Sequence, residues 1–138
     1  MGREVFLDTG AFYALLVKKD DAHERMEGYM RESARQRRLF VTTDYVLDET
    51  ATLLKARGHG PVASAFLAGI LESASCRVVW MDPELFSDAF AFWAKHEDQD
   101  WSFTDGVSFT VMRRLKLRTA LTKDRHFREA GFETPLLG

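Results

Sequence analysis

Four acidic residues stand where a carboxylate can do more than solvate a surface: Asp8 in FLDTG, Glu49 in LDET, Asp105 in FTDGV and Asp124 in TKDRH. Carboxylate oxygens are hard ligands that only accept. Clustered without histidine or cysteine, they favour Mg²⁺ or Mn²⁺ over zinc. Mg²⁺ takes one or two direct carboxylates and keeps several waters, so four acids either hold two ions or divide direct and water-mediated roles. Two ions roughly 3.5–4 Å apart activate a water and steady the leaving oxygen in phosphodiester hydrolysis. Each acid also has an ordinary explanation. Asp8 and Asp124 can cap the helices that follow them, and Asp105 in a first turn complements a helix dipole. Glu49 can be buried against an arginine. The four together carry more weight than any one.

The elements that must position these acids follow from the apolar pattern. Glu4–Leu7 reads as a strand and Thr9–Lys18 as a helix capped by Asp8 or Thr9. Asp21–Gln36 is a charged surface helix, Leu39–Thr42 a second strand, and Asp44–Arg57 a helix ended by Gly58 and Gly60. Val62–Ser73 follows as a helix opened by Pro61, then Arg77–Met81 as a third strand and Glu84–Lys95 as a helix after Pro83. Phe103–Leu115 is a helix, Thr119–Thr122 a fourth strand, a short helical turn runs through Phe127, and Glu133–Leu137 is a candidate last strand. Strands alternating with helices predict a three-layer α/β/α sandwich around a parallel sheet of four to five strands. Ligands of such sheets bind outside the carboxyl ends of the strands, at a switch in strand order. Asp8 and Asp124 share that edge if the first and fourth strands are neighbours.

Helix geometry separates the other two acids. Val46, Thr50 and Leu53 make one stripe of their helix, and Glu49 falls within about 60° of its centre, while Asp48 points to solvent. Glu49 is therefore expected on a packed face, where it needs a cation. The Phe103–Leu115 helix is apolar over most of its circumference, its polar arc limited to Gly106, Thr110 and Arg113. Asp105, flanked by Phe109 and Met112, is expected to look inward near the strand ends.

Composition bounds the remaining classes. The 138 residues suit a single domain over 1–138, with 46% hydrophobic and 29% charged residues, as in ordinary globular chains. Cys76 is the one cysteine, so no intrachain disulfide forms, and His23, His59, His96 and His126 are scattered without zinc-type spacing. A cytoplasmic location is the expectation. The initial apolar run is too short for a signal peptide and no stretch approaches a membrane span. Net charge is −2, but Arg35, Arg37 and Arg38 cluster, as do Arg113, Arg114, Lys116 and Arg118. Such patches either bind phosphate or are solvated helix ends. Leu85, Phe86, Ala89, Phe90, Phe92 and Trp93 are more large apolar groups than one packed face requires; they serve an interface or all enter the core.

FLDTGAFYALL, YVLDETATLL, SFTDGVSFTVM and LTKDRHFREAGF, in this order and at these intervals, resemble the PIN domain and are similar to the VapC-type toxins of toxin–antitoxin modules. The likeness runs over essentially the whole chain. It places the family's four acids on Asp8, Glu49, Asp105 and Asp124 and its accompanying hydroxyls on Thr9 and Thr104. It implies an endoribonuclease dependent on Mg²⁺ or Mn²⁺, an RNA substrate, a homodimer and a small antitoxin protein as partner. Asp100, just upstream of the third motif, reads as a surface residue or else a peripheral metal helper. A PIN nuclease of RNA processing without an antitoxin, and a non-catalytic RNA-binding module, are the alternatives. The second is disfavoured because a pure phosphate binder would not centre four negative charges. An aspartyl-nucleophile phosphatase or dehalogenase is disfavoured because Thr9 and Gly10, and no second acid, follow Asp8. The phosphate-cradling glycine motifs of nucleotide binders are absent.

Overall fold

A strand buried on both faces shows a continuous apolar run, and the first strand does so: in the computed structural model, which describes residues 4–137, Val5, Phe6 and Leu7 are all buried. The elements in order are β1 (Glu4–Leu7), α1 (Thr9–Leu16), α2 (His23–Arg35), β2 (Leu39–Thr43), α3 (Asp44–Ala56), α4 (Gly60–Glu72), β3 (Cys76–Val79), α5 (Pro83–Lys95), α6 (Phe103–Arg114), β4 (Ala120–Leu121) and α7 (Arg125–Glu129). The sheet is parallel throughout, in the order β3-β2-β1-β4. The chain steps from β1 to β2 to β3, then crosses back to lay β4 on the other side of β1. Right-handed crossovers therefore put α1–α4 on one face and α5 and α6 on the other. The reversal makes a switch point between β1 and β4, which pair through Phe6–Ala120 and Leu7–Leu121.

The aromatic side chains Phe6, Phe109 and Phe127 are fully buried and stack in sequence, Phe109 meeting Phe127 edge-on at 4.9 Å. They lock β1, α6 and α7 together beneath the β1–β4 edge.

Three expectations change. Glu133–Leu137 is not a strand: only one parallel bridge forms, Thr119 to Glu133, before the chain turns. Pro135 offers no N–H to a ladder, and the carbonyls of Leu136 and Leu137 are taken by the guanidinium groups of Arg25 and Arg128. Among the described residues the sheet thus has four strands. The polar arc assigned to α6 is mostly buried: every residue from Asp105 to Met112 is inside, Gly106 and Thr110 among them, and only Arg113 of the arc is exposed. Gly106 lies against Trp93 of α5, where an added Cβ would come within 3.1 Å of the Trp93 Cβ, and Thr110 satisfies its hydroxyl on the Gly106 carbonyl at 2.8 Å. The apolar excess on α5 divides: Leu85 and Ala89 enter the core, while Phe86 and Phe90 stay exposed.

Candidate active site

Asp8 directly follows β1 and is buried. It occupies the cap position of α1, yet its side chain makes no capping hydrogen bond. The capping explanation therefore fails for Asp8. Its Oδ2 instead accepts from the Thr122 hydroxyl at 2.7 Å, across the switch point. The same Thr122 oxygen accepts the backbone N–H of Asp124 at 2.9 Å. One hydroxyl thus ties the carboxylate after β1 to the loop after β4. Gly10 permits the close approach: a Cβ there would stand 3.0 Å from both the Cβ and the backbone nitrogen of Lys123.

Asp124 does cap α7, its Oδ1 accepting from the His126 N–H at 2.9 Å. Asp105 is buried and takes part in a reciprocal capping box, accepting the Ser102 N–H at 3.2 Å while the Ser102 hydroxyl accepts the Asp105 N–H. Both capping explanations hold, and both carboxylates nonetheless converge. His126 Nδ1 lies 3.0 Å from Asp105 Oδ2 and 3.2 Å from Asp124 Oδ1. Ligand atoms of Asp105, Asp124 and His126 all fall within 4.8 Å of one another.

Glu49 corrects the sequence reading. The buried stripe of α3 is Val46, Leu47, Thr50 and Leu54, centred near Thr50, which puts Glu49 about 100° round the helix rather than inside the stripe. The side chain is exposed, opening onto the cleft. Its Oε1 is nevertheless fixed by the Thr9 hydroxyl at 2.7 Å, and Thr9 in turn accepts from Thr50 at 3.2 Å. No arginine pairs with Glu49 among the described residues. Asp8, Glu49 and Asp124 line one recess of about 320 Å³ together with Thr9, Gly10 and Lys123. Thr104 lines the adjoining space, and Asp100 is exposed, as its surface reading requires.

Packing so many acids together costs free energy in their ionised forms. Burial pushes the Asp8 carboxyl up to about 7, opposed by the Thr122 hydrogen bond and reinforced by the charges of Asp105 and Glu49. Burial also raises Asp105, with the His126 hydrogen bond acting against it and the Asp124 charge with it. For His126, burial disfavours the charged ring, but the Asp105 hydrogen bond and the Asp124 and Asp105 charges outweigh it, so its pKa rises. Whichever its protonation, the ring sits between the Asp105 and Asp124 carboxylates, within hydrogen-bond reach of both. This donor set fits a divalent cation: a carboxylate held above its ordinary range by burial, with like charges adding to the effect, is what a bound cation relieves.

Two residues escaped the sequence reading. Thr122 looked like the last residue of a strand, and nothing in the sequence distinguishes a hydroxyl that ends a strand from one that bridges two loops. His126 carried a usable signal, since it lies two residues after Asp124, but scanning histidines for spacing against cysteine discarded it. The absence of histidine therefore no longer counts against zinc. Four members of the basic clusters have partners away from the site: Arg114 pairs with Asp88, Arg35 with Glu32, Arg113 lies over Phe92 and Arg38 over Tyr29. Lys123 is the cation lining the recess, and its ammonium pairs with Asp20 and Asp21.

The sequence matches the family model for the PIN domain over residues 5–133. It is 35% identical over 129 residues to the 23S rRNA-specific endonuclease VapC20 of Mycobacterium tuberculosis, covering 93% of this chain and 95% of that protein. It is 34% identical over 115 residues to a VapC ribonuclease of Archaeoglobus fulgidus, covering 81% of this chain and 72% of the relative. Among solved structures, the M. tuberculosis VapC20, described as a Sarcin-Ricin loop cleaving toxin, superposes with a TM-score of 0.82 at 32% identity over 93% of this chain and 95% of that one. FitAcB of Neisseria gonorrhoeae, at 14% identity and a TM-score of 0.60, shares the fold over 94% of this chain and 95% of that chain. None of the described helices is long and apolar enough to cross a membrane.

Proposed function

Since this chain belongs to the PIN domain family, among its VapC-type members, we propose that it is a metal-dependent endoribonuclease and the toxin of a toxin–antitoxin pair. The observation that carries the reading is Asp8. It is a buried carboxylate at the β1–β4 switch point that caps nothing, held by Thr122 and raised by burial and by the neighbouring acids. Such a group has no structural task that a neutral residue would not do better.

Asp8, Asp105 and Asp124 are assigned to the cation and Glu49 to the rim. A divalent cation held there, Mg²⁺ or Mn²⁺, would lower the pKa of a water and offset charge on the phosphate. The protein's part is positional. Thr122 sets the Asp8 carboxylate against the Asp124 loop. Thr9 fixes one oxygen of Glu49, which leaves the other free to orient the attacking water and accept its proton. His126 holds the Asp105 and Asp124 carboxylates side by side. Water adds to phosphorus as the bond to the leaving ester oxygen breaks, and no covalent enzyme intermediate is needed. Homodimerisation, a small antitoxin and a cytoplasmic site of action complete the reading.

Calorimetric titration of Mn²⁺, paired with cleavage of a structured ribosomal RNA fragment in Mn²⁺ and in EDTA, tests it. Saturable uptake that is lost in Asp105→Ala, together with cleavage that EDTA abolishes, is the expected result. Cleavage unaffected by EDTA, or uptake unchanged in Asp105→Ala, overturns the assignment.

A further inference from the structure

One side of α3 faces the core through Val46, Thr50 and Leu54, while Tyr45, Glu49, Thr52 and Ala56, at steps of four, three and four, line a cleft of about 550 Å³ on another side. Thr104 of α6 lines it too. Glu49 and Leu53 line both this cleft and the acidic recess, so the two spaces run into each other. We propose that the Tyr45 end of the cleft seats one unstacked base of the RNA, next to the phosphate at the acids. The proposal rests on the ribonuclease reading above and adds to it how substrate is chosen.

The aromatic arrangement is what base stacking needs. Tyr45 is half-buried, and Phe103 backs it with ring centroids 6.2 Å apart. Phe103 is held in turn by Phe86 at 5.1 Å and by Trp93, edge-on, at 5.6 Å. The ring is therefore fixed before substrate arrives, which lowers the entropy lost on stacking. The volume lies within the range of small-ligand sites, enough for one nucleoside and too small for a helix or duplex. No cationic side chain lines the cleft, so it is no seat for a phosphate. Its polar groups are the Asp48 and Glu49 carboxylates and the hydroxyls of Tyr45, Thr52 and Thr104. A carboxylate accepts only, so it favours a base with an exocyclic amino group and meets the O4 of uracil with repulsion. RNA is read through bases that leave the stack and lie on aromatic rings.

Short single-stranded RNAs cut by the protein in Mn²⁺, with the cut mapped by end sequencing, provide the test. Nucleotides flanking the cut are replaced one at a time by an abasic ribose. At one flanking position the abasic change is expected to raise KM roughly 5- to 150-fold while kcat moves far less. Tyr45→Ala should suffer the same loss on intact RNA and no further loss on the abasic RNA, and Tyr45→Phe should restore the parent values. Asp48→Asn should remove the preference for an amino-bearing base over uracil at that position. Thr52→Trp, which fills the cleft without touching the aromatic pile, guards against misfolding of Tyr45→Ala and should raise KM in the same way. Independent, additive losses from Tyr45→Ala and the abasic change overturn the seat while the ribonuclease reading stands. So does a Tyr45→Ala protein that cuts normally but no longer associates with a second copy or a co-expressed protein, which would make the cleft a protein contact. If the parent cuts none of the RNAs, the ribonuclease reading fails and the seat fails with it.

Discussion

An aspartate follows every strand of the sheet, and the four meet different fates. Asp44 after β2 accepts the Met81 N–H at 3.0 Å and so stitches the end of β2 to the end of β3. Asp82 after β3 caps α5, accepting the Leu85 N–H at 2.7 Å. At the other half of the sheet, Asp8 after β1 caps nothing, and Asp124 after β4 caps a helix of five residues while also facing His126. Residue type and local position are nearly the same in all four cases. What differs is the topology: β2 and β3 are laid down in sequence order, whereas β4 is brought beside β1 from the opposite direction. The reversal opens a crevice, and the carboxylates at its rim are brought toward one another, Asp124 while still capping its helix and Asp8 without capping any.

The sharpest way to break this contrast is to remove one acid from each half. Asp8→Ala should lower Mn²⁺-dependent RNA cleavage by roughly three orders of magnitude, the loss expected when cation-based charge stabilisation goes. Asp44→Ala and Asp82→Ala should stay within about threefold of the parent in the same assay. Equal losses in both halves would show that the strand ends act alike and that topology decides nothing.

Protonation gives a second test, read without RNA. In the metal-free protein, Asp8 sits near 7 against an ordinary 3.8. Between those values the folded state holds a proton that the unfolded chain has released, so stability falls as pH rises through roughly 4 to 7 and levels off above. The raised pKa values of Asp105 and His126 act in the same direction. In EDTA at pH 8, Asp8→Asn should therefore be more stable to urea than the parent by roughly 1–4 kcal/mol. A parent whose metal-free stability climbs over that window would refute the strained-carboxylate account.

Two smaller effects sharpen the picture. Gly10→Ala places a methyl against Lys123, and the loop bearing Asp124 must give by a few tenths of an ångström. Cleavage should fall about tenfold with little change in melting temperature, and unchanged cleavage would mean that the two loops need not touch so closely. Asp82→Ala should cost about 1 kcal/mol of stability as a lost cap, visible as a drop of a few degrees in Tm.

The alternation of strands and helices could be anticipated because β1, β2 and β4 are apolar runs each followed by a helix with a recognisable start, whereas the sequence leaves open the order that sets β4 beside β1. The sequence placed Asp105 correctly at the inner side of α6, since helix periodicity there left no other face. Glu49 went wrong for a related reason. A stripe judged from Val46, Thr50 and Leu53 is centred about 50° from the true one at Val46, Leu47, Thr50 and Leu54, which is enough to carry Glu49 from the margin of the packed face to the open side. The tail at Glu133 has β-type composition but loses its ladder to Pro135 and to two arginines far off in sequence or beyond a turn. The partnership of Thr122 with Asp8 was illegible because no local pattern encodes a bond across the whole chain.

That same bond spans 114 positions, and this separation governs when activity can begin. A ribosome adding roughly 5–20 residues per second makes Thr122 some 6–23 s after Asp8. Throughout that interval Asp124 has not been made, whichever of the other acids are already present, and β1 lacks its β4 neighbour. A centre assembled this way cannot be whole before β4 has been made and laid beside β1. A prematurely terminated chain lacking β4 carries an unfinished centre and is no threat to the RNA around it.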